Sequence, residues 1–319
     1  MFNIDKVNKI NSISEIIPLK NDYEGEVSAA VEYAVLPEAN TAVLYIHGYM
    51  DYFFQHHLAT YFVDQGISFY AIELRKYGAS IKSYQHENYF RDITEYDEEI
   101  SIVLNKIKED GHSNIILNGH STGGLIATSY ALQGEYKHLI SGIILNSPFL
   151  EFNIPKVLKN ILPFITPLAL LFPYFKFTQL PSFYTQSLHQ NYKGRWNFNL
   201  EYKPVPSFIT HLGWVRAVLM AQKEVQQRKI ETIPCVIFHS DKSCFENGWN
   251  DLMLSSDAVL NVDHIDFFGR KIYPQADIIE IKNAVHDIVL SSDEVIDDYF
   301  ENISKWLKKN IYLDFIRRI

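Results

Sequence analysis

A chain of 319 residues, 47% of them hydrophobic, can bury a sizeable core; this excludes a disordered protein and allows two average domains or one large α/β domain with an insertion. The net charge of -9 argues against a nucleic-acid partner, because phosphate binding needs a basic surface, and it suits a soluble cytoplasmic enzyme. Met1 to Lys6 show no charged-then-apolar signal, and Cys235 and Cys244 form neither a Cys-x-x-Cys pair nor a disulfide framework, so free thiols in a reducing compartment are expected.

Residues 1–40 read as an antiparallel lead-in, with the loose alternation of residues 27–35 fitting an edge strand. Residues 42–46 (Ala-Val-Leu-Tyr-Ile) are a continuous apolar run of the buried parallel-strand type, ending in His47-Gly48-Tyr49. A helix is expected over 54–65, a strand over 67–74, and a loop from Arg75 to Ser80. From 89 to 110, Ile93, Tyr96, Ile100, Val103, Leu104 and Ile107 recur at helical spacing.

Residues 115–117 then run directly into Gly119-His120-Ser121-Thr122-Gly123-Gly124, followed by a helix-like stretch over 125–132. Strand, Gly-x-Ser-x-Gly and helix in that order form a nucleophile elbow, a tight turn that lifts a serine hydroxyl above the sheet. The same turn aims the amides at a helix N-terminus toward the place where an oxyanion forms. Another short strand spans 140–146. The repeated alternation predicts a mostly parallel sheet with helices on both faces, whose ligands sit at the carboxyl ends of the strands.

Between 149 and about 228 the alternation stops and Leu, Phe, Tyr, Trp and Pro dominate, until a helical pattern at 215–225. This insertion predicts a helical cap over the active-site end. Its most apolar part, 161–175, is interrupted by Pro163, Pro167 and Pro173 and is shorter than the roughly 20 residues of a spanning helix. Strands return at 234–239, where Cys235 reads as core, and at 276–281; Val295, Tyr299, Ile303, Trp306 and Leu307 mark a closing helix.

A serine hydroxyl needs a base in hydrogen-bond reach and an acid to orient that base. Among twelve histidines, His286 is the best base. It lies in Asn283-Ala284-Val285-His286-Asp287, a loop after the last strand, where an imidazole can swing over the elbow. Asp287 beside it is expected to face away or to tie down the loop.

These residues resemble the α/β-hydrolase superfamily, and more narrowly serine hydrolases of the lysophospholipase and monoacylglycerol-lipase type. The marks are His47-Gly48-Tyr49, Glu73-Leu74-Arg75 with Gly78 and Ser80, the elbow, and His286. The resemblance covers nearly the whole chain, more weakly in the first 40 residues and the cap. It implies an α/β-hydrolase fold, with residues 1–148 and 231–319 as two parts of the core and 149–230 as the cap. It also implies that the backbone amides of Tyr49 and Thr122 form the oxyanion hole, and that His47 is structural. Glu73 stands where an aspartate is more usual.

In that family an aspartate stands about three residues past a His-Gly at the end of the penultimate strand. Here the segment reads His239-Ser240-Asp241-Lys242-Ser243, with serine at that place. Asp241 lies on the strand end, slightly early. Asp257, in Ser256-Asp257-Ala258-Val259, resembles the family's aspartate before apolar residues and leaves about the usual gap to the histidine; residues 242–256 would then precede it as an insertion. Asp257 is the preferred acid, Asp241 the alternative, with Asp263 and Asp266 behind them.

The expected activity is cofactor- and metal-free hydrolysis of carboxylic esters with apolar acyl groups; His56-His57 and the scattered carboxylates have no recognisable ligand spacing. The expected partner is a small-molecule ester, with transient contact of the cap with a membrane surface. The competing readings are an aminopeptidase of the same fold and a non-catalytic lipid-binding module on a hydrolase scaffold.

Overall fold

The computed structural model describes residues 12–154, 156–178, 183–245 and 248–312; the leading segment Met1 to Lys6 lies outside them. An eight-stranded sheet forms the centre. Its members in chain order are β1 (Ile13–Pro18), β2 (Ser28–Ala34), β3 (Thr41–Ile46), β4 (Ser68–Glu73), β5 (Asn114–His120), β6 (Ile140–Asn146), β9 (Cys235–Ser240) and β10 (Asp277–Ile281). They lie side by side as β1-β2-β4-β3-β5-β6-β9-β10. β1 and β2 pair antiparallel, as do β2 and β4, and every later pairing is parallel.

Two expectations shift. β2 fills the segment expected to be an edge, but β1 covers it. The helix expected from residue 89 begins only at Asp97: Asp92 caps a 3-10 turn (Ile93–Tyr96), its side chain accepting from Thr94 N while Glu95 reaches back, and α2 (Asp97–Glu109) follows.

The helices split between the two faces because buried strands alternate their side chains. Ala42, Leu44 and Ile46 of β3 point into one core with α2, α3 (Thr122–Gln133), α6 (Leu212–Gln226) and α7 (Val262–Ile272). Val43 and Tyr45 point into the other, with α1 (His56–Asp64) and α8 (Asp293–Leu307). α2 shows why such a helix holds: Ile100, Val103, Leu104 and Ile107 are buried on one stripe, with acids in its first turn and lysines in its last, as the helix dipole favours. α3 is buried nearly all round, packed against β5 and α6.

Between β6 and β9 the chain leaves the sheet. This insertion contains α4 (Lys156–Ile165), a 3-10 turn (Thr166–Leu170), β7 (Lys176–Thr178), α5 (Phe183–Leu188), β8 (Thr210–His211) and α6. β7 and β8 make a small antiparallel sheet of their own. Among the described residues, no helix is long and apolar enough to cross a membrane.

Candidate active site

The elbow forms where β5 meets α3. Ser121 sits there with φ 52° and ψ -116°, a left-handed conformation that a non-glycine residue holds only where its surroundings impose it. Two glycines make the turn sterically possible. A Cβ on Gly123 would stand 2.1 Å from the Ile46 carbonyl oxygen, and one on Gly119 would stand 2.6 Å from the Gly123 carbonyl oxygen. The Ser121 amide donates to Asn146 O at 3.0 Å, which fixes the elbow to β6.

Three sequence-predicted side chains meet here in one hydrogen-bonded chain. His286 Nε2 lies 2.9 Å from Ser121 Oγ, and His286 Nδ1 lies 2.8 Å from Asp257 Oδ2. The carboxylate leaves one ring assignment, with Nδ1–H donating to Asp257 and Nε2 accepting from the serine. The other carboxylate oxygen of Asp257 accepts from the amides of Val259 at 2.8 Å and Leu260 at 2.7 Å. Asp257 and His286 are both buried.

Asp257 reaches the histidine by an excursion of the chain after β9. The Cys244 amide donates to Asp257 O and the Asp257 amide to Lys242 O, each at 2.9 Å, so the loop returns to its starting point. The other carboxylates face elsewhere. Asp241 Oδ1 accepts from the Asn283 amide at 2.7 Å. Asp263 lies in the first turn of α7, and Asp266 is held by Arg270 one turn on.

Asp287 anchors the loop that carries His286. It is buried and accepts from Gln55 Nε2 at 3.0 Å and Asn146 Nδ2 at 2.7 Å. Burial alone would raise its pKa, but the His120 and Lys203 charges and these bonds together hold it below the usual carboxylate range.

Across from the histidine, the loop after β3 carries Gly48 against the elbow: a Cβ on Gly48 would lie 3.1 Å from Ser121 Cβ. His47 holds the start of this loop. Its Nδ1 donates to Gly48 O at 2.8 Å, and its Nε2 accepts from the Leu74 amide at 3.1 Å. Burial pushes its pKa down to about 4, so the ring is neutral and structural. Among the described residues, the Tyr49 and Thr122 amides donate to no acceptor within the chain. Glu73 accepts from the Ala79 amide, and burial pushes its pKa up to about 7.

Two charged residues here carry no sequence signal. Lys203, in the insertion, donates from Nζ to Asp51 Oδ1 at 2.9 Å, and both side chains are buried. Their chain separation of 152 residues leaves no local pattern to read. Asp51, His120 and Asp287 bring one potential ligand atom each to within 4.8 Å of one another. Lys203 already meets Asp51, and Gln55 and Asn146 meet Asp287, so these donors are engaged by the chain itself.

A cavity of about 700 Å³ opens on Ser121 and His286. Its wall is mainly apolar and aromatic, with Phe149, Phe152, Trp214 and Leu260 among its residues. No aspartate or glutamate lines it among the described residues, and Lys203 is its one lysine or arginine.

The mostly parallel sheet, the strained serine between β5 and α3, and the histidine after the last strand define an α/β-hydrolase. Residues 37–245 match the Hydrolase_4 family, described as serine aminopeptidase, S33, over more than half of the chain, and the chain belongs to that family. Among solved structures, a soluble variant of monoglyceride lipase from Saccharomyces cerevisiae in complex with a substrate analog is similar, with a TM-score of 0.68 and 18% identity over 93% of this chain and 96% of that one. Est1E from Butyrivibrio proteoclasticus with ferulic acid bound gives 0.58 and 16% over 93% and 99%, respectively. A thermophilic esterase from Thermogutta terrifontis gives 0.56 and 16% over 92% and 98%. At such identities the likeness is one of fold. No curated protein matches the sequence.

Proposed function

We propose that this protein is a serine hydrolase that cleaves carboxylic esters of apolar acyl groups. The observation that carries the reading is the Asp257–His286–Ser121 hydrogen-bonded chain at the mouth of a largely apolar cavity whose described lining holds no carboxylate. Ser121 Oγ attacks the ester carbonyl while His286 Nε2 takes its proton. The Tyr49 and Thr122 amides hold the oxyanion, and His286 returns the proton to the departing alcohol. Water, deprotonated by His286, then releases the acid and restores the serine. Asp257 keeps the imidazole in the productive tautomer and stabilises the imidazolium.

In this reading residues 149–230 are the cap over a core formed by 1–148 and 231–319. The outer part of the cap carries exposed Val157, Phe164 and Leu171, at 72, 82 and 74% of their full accessibility. Apolar side chains in that density suit transient contact with a membrane surface, from which an apolar ester is taken up. Lysophospholipids and monoacylglycerols are substrates of the matching chemistry, and the cytoplasm is the matching compartment.

The aminopeptidase reading has the family description in its favour. An N-terminal peptidase is expected to hold the substrate ammonium with a carboxylate, and the described lining offers none. One panel decides between the readings: esters varied in acyl length and head group beside aminoacyl-7-amino-4-methylcoumarins, with Ser121→Ala as control. Ester turnover that vanishes in Ser121→Ala, with fluorophosphonate labelling of the wild type at Ser121, is the expected result. Amide turnover without ester turnover supports the peptidase instead, and fatty-acid binding with neither turnover nor labelling supports the lipid-binding module.

A further inference from the structure

The loop that carries the Tyr49 amide is held from the insertion side by a short run of residues, 199–214. The Tyr49 hydroxyl is 3.0 Å from Thr210 Oγ1, and the Tyr49 ring packs on Trp214 with centroids 4.2 Å apart. Asp51 receives Lys203, and the Tyr52 hydroxyl accepts from the Asn199 amide. Between these points Met50 stands at φ 50°. Positive φ costs a methionine about 1–2 kcal/mol, which the ties on either side offset.

Among these ties the ion pair is the one that plain packing does not account for. Two charges taken out of water are costly, and well-packed apolar side chains would stabilise the same contact as well. The Lys203 ammonium also lies 5.5 Å from the centre of the Tyr184 ring, whose hydroxyl accepts from the Asp287 amide next to His286. One buried cation from the insertion therefore stands between the loop bearing the Tyr49 amide and the loop bearing the base.

We propose that Lys203 is a positioning residue, whose ion pair with Asp51 fixes the Tyr49 loop so that the oxyanion site is complete only while the insertion is seated. This rests on the ester-hydrolase reading for its effect on rate, and on the loop geometry alone for its effect on order. Lys203 lines the cavity but makes its hydrogen bond to Asp51 and none to Ser121, His286 or Asp257. It acts through Asp51 on the backbone of residues 49–51, and a misplaced oxyanion donor raises the barrier without weakening ground-state binding.

The deciding variant is Asp51→Asn/Lys203→Met, which removes both charges and leaves neither buried alone. Expected are a kcat lowered by about 10- to 100-fold with KM within about twofold, and faster amide hydrogen exchange over residues 47–54 with α3 unchanged. Lys203→Arg, which keeps the cation, should recover most of kcat. If the ion pair serves packing alone, the double variant regains what Lys203→Met loses; kcat within about twofold of wild type and unchanged exchange would overturn the proposal. Should the double variant fail to fold, Lys203→Gln is read the same way, and unchanged kcat and exchange again overturn it. Wild-type protein without ester turnover counts against the ester reading, and the exchange of residues 47–54 then decides the positioning role by itself.

Discussion

The elbow and the outer side of the insertion are built in two contrasting ways. At the elbow every neighbour is fixed: a Cβ on Gly123 meets the Ile46 carbonyl at 2.1 Å, and both His286 and Asp257 are buried. On the outer side of the insertion, Val157, Phe164 and Leu171 turn apolar side chains outward, with Phe164 at 82% exposure. The first arrangement suits chemistry, which tolerates little displacement of its groups. The second suits contact with something apolar outside the chain. The contrast separates rate from access, and substitutions in the two regions should divide along that line.

The largest effect is expected within the buried chain of hydrogen bonds. Asp257→Asn should lower ester turnover on the order of 10⁴-fold by favouring the wrong imidazole tautomer. Asp241→Asn, whose carboxylate caps the Asn283 amide instead, should stay within about tenfold. Steady-state kinetics on a p-nitrophenyl ester reads both, and the reverse order would move the acid to Asp241.

Gly123→Ala should come next, because the new methyl has no space beside Ile46 O. A stability loss of about 1–3 kcal/mol is expected in urea unfolding, with turnover falling as the elbow shifts.

On the exposed side of the insertion, Phe164→Ser with Leu171→Ser should leave stability and short soluble esters nearly untouched. Turnover of the same acyl group presented in vesicles should drop by about tenfold, as expected from losing a small apolar contact area. An equal loss on both substrates would break the division between the two regions.

The smallest effect is one of pH. Burial holds the Glu73 pKa at about 7, above its usual 4.5. The folded protein therefore keeps a proton that the unfolded chain releases. The stability this contributes is complete below about 4.5 and is lost as pH rises through about 7. Glu73 is half-buried, so the loss relative to Glu73→Gln should be about 1–2 kcal/mol. Denaturation midpoints of the two proteins at pH 4.5 and pH 8 check the sign.

The parts of this molecule that are readable from sequence are those whose residues have one solution. β3 is buried at every position, and a continuous apolar run bounded by His-Gly admits little but an interior strand. The edge strand β1 escaped because only Ile17 of its residues is buried, which leaves no alternation to read. The segment 89–96 shows the opposite failure. Tyr89, Phe90, Ile93 and Tyr96 are buried as their spacing suggests, but spacing does not say that the backbone there is a loop and a 3-10 turn. The elbow and the late histidine could be picked out because their chemistry demands local neighbours: a glycine on each side, and a loop after a strand. Asp257 stood out by its distance from His286 along the chain, 29 residues. Lys203 and Asp51 had no such handle; their meeting exists only in three dimensions.

The excursion between Lys242 and Asp257 has a consequence for reading relatives. Its two ends are tied by the Ser243–Asp257 bridge and by hydrogen bonds to Lys242 and Cys244, so the carboxylate's place depends on the knot and not on the thread between. Residues gained between Cys244 and Asp257 would leave the contact with His286 unaltered. Counting positions from the end of β9 is therefore the wrong ruler for finding the carboxylate that meets the histidine. Counting back from the histidine measures the part of the chain that geometry constrains.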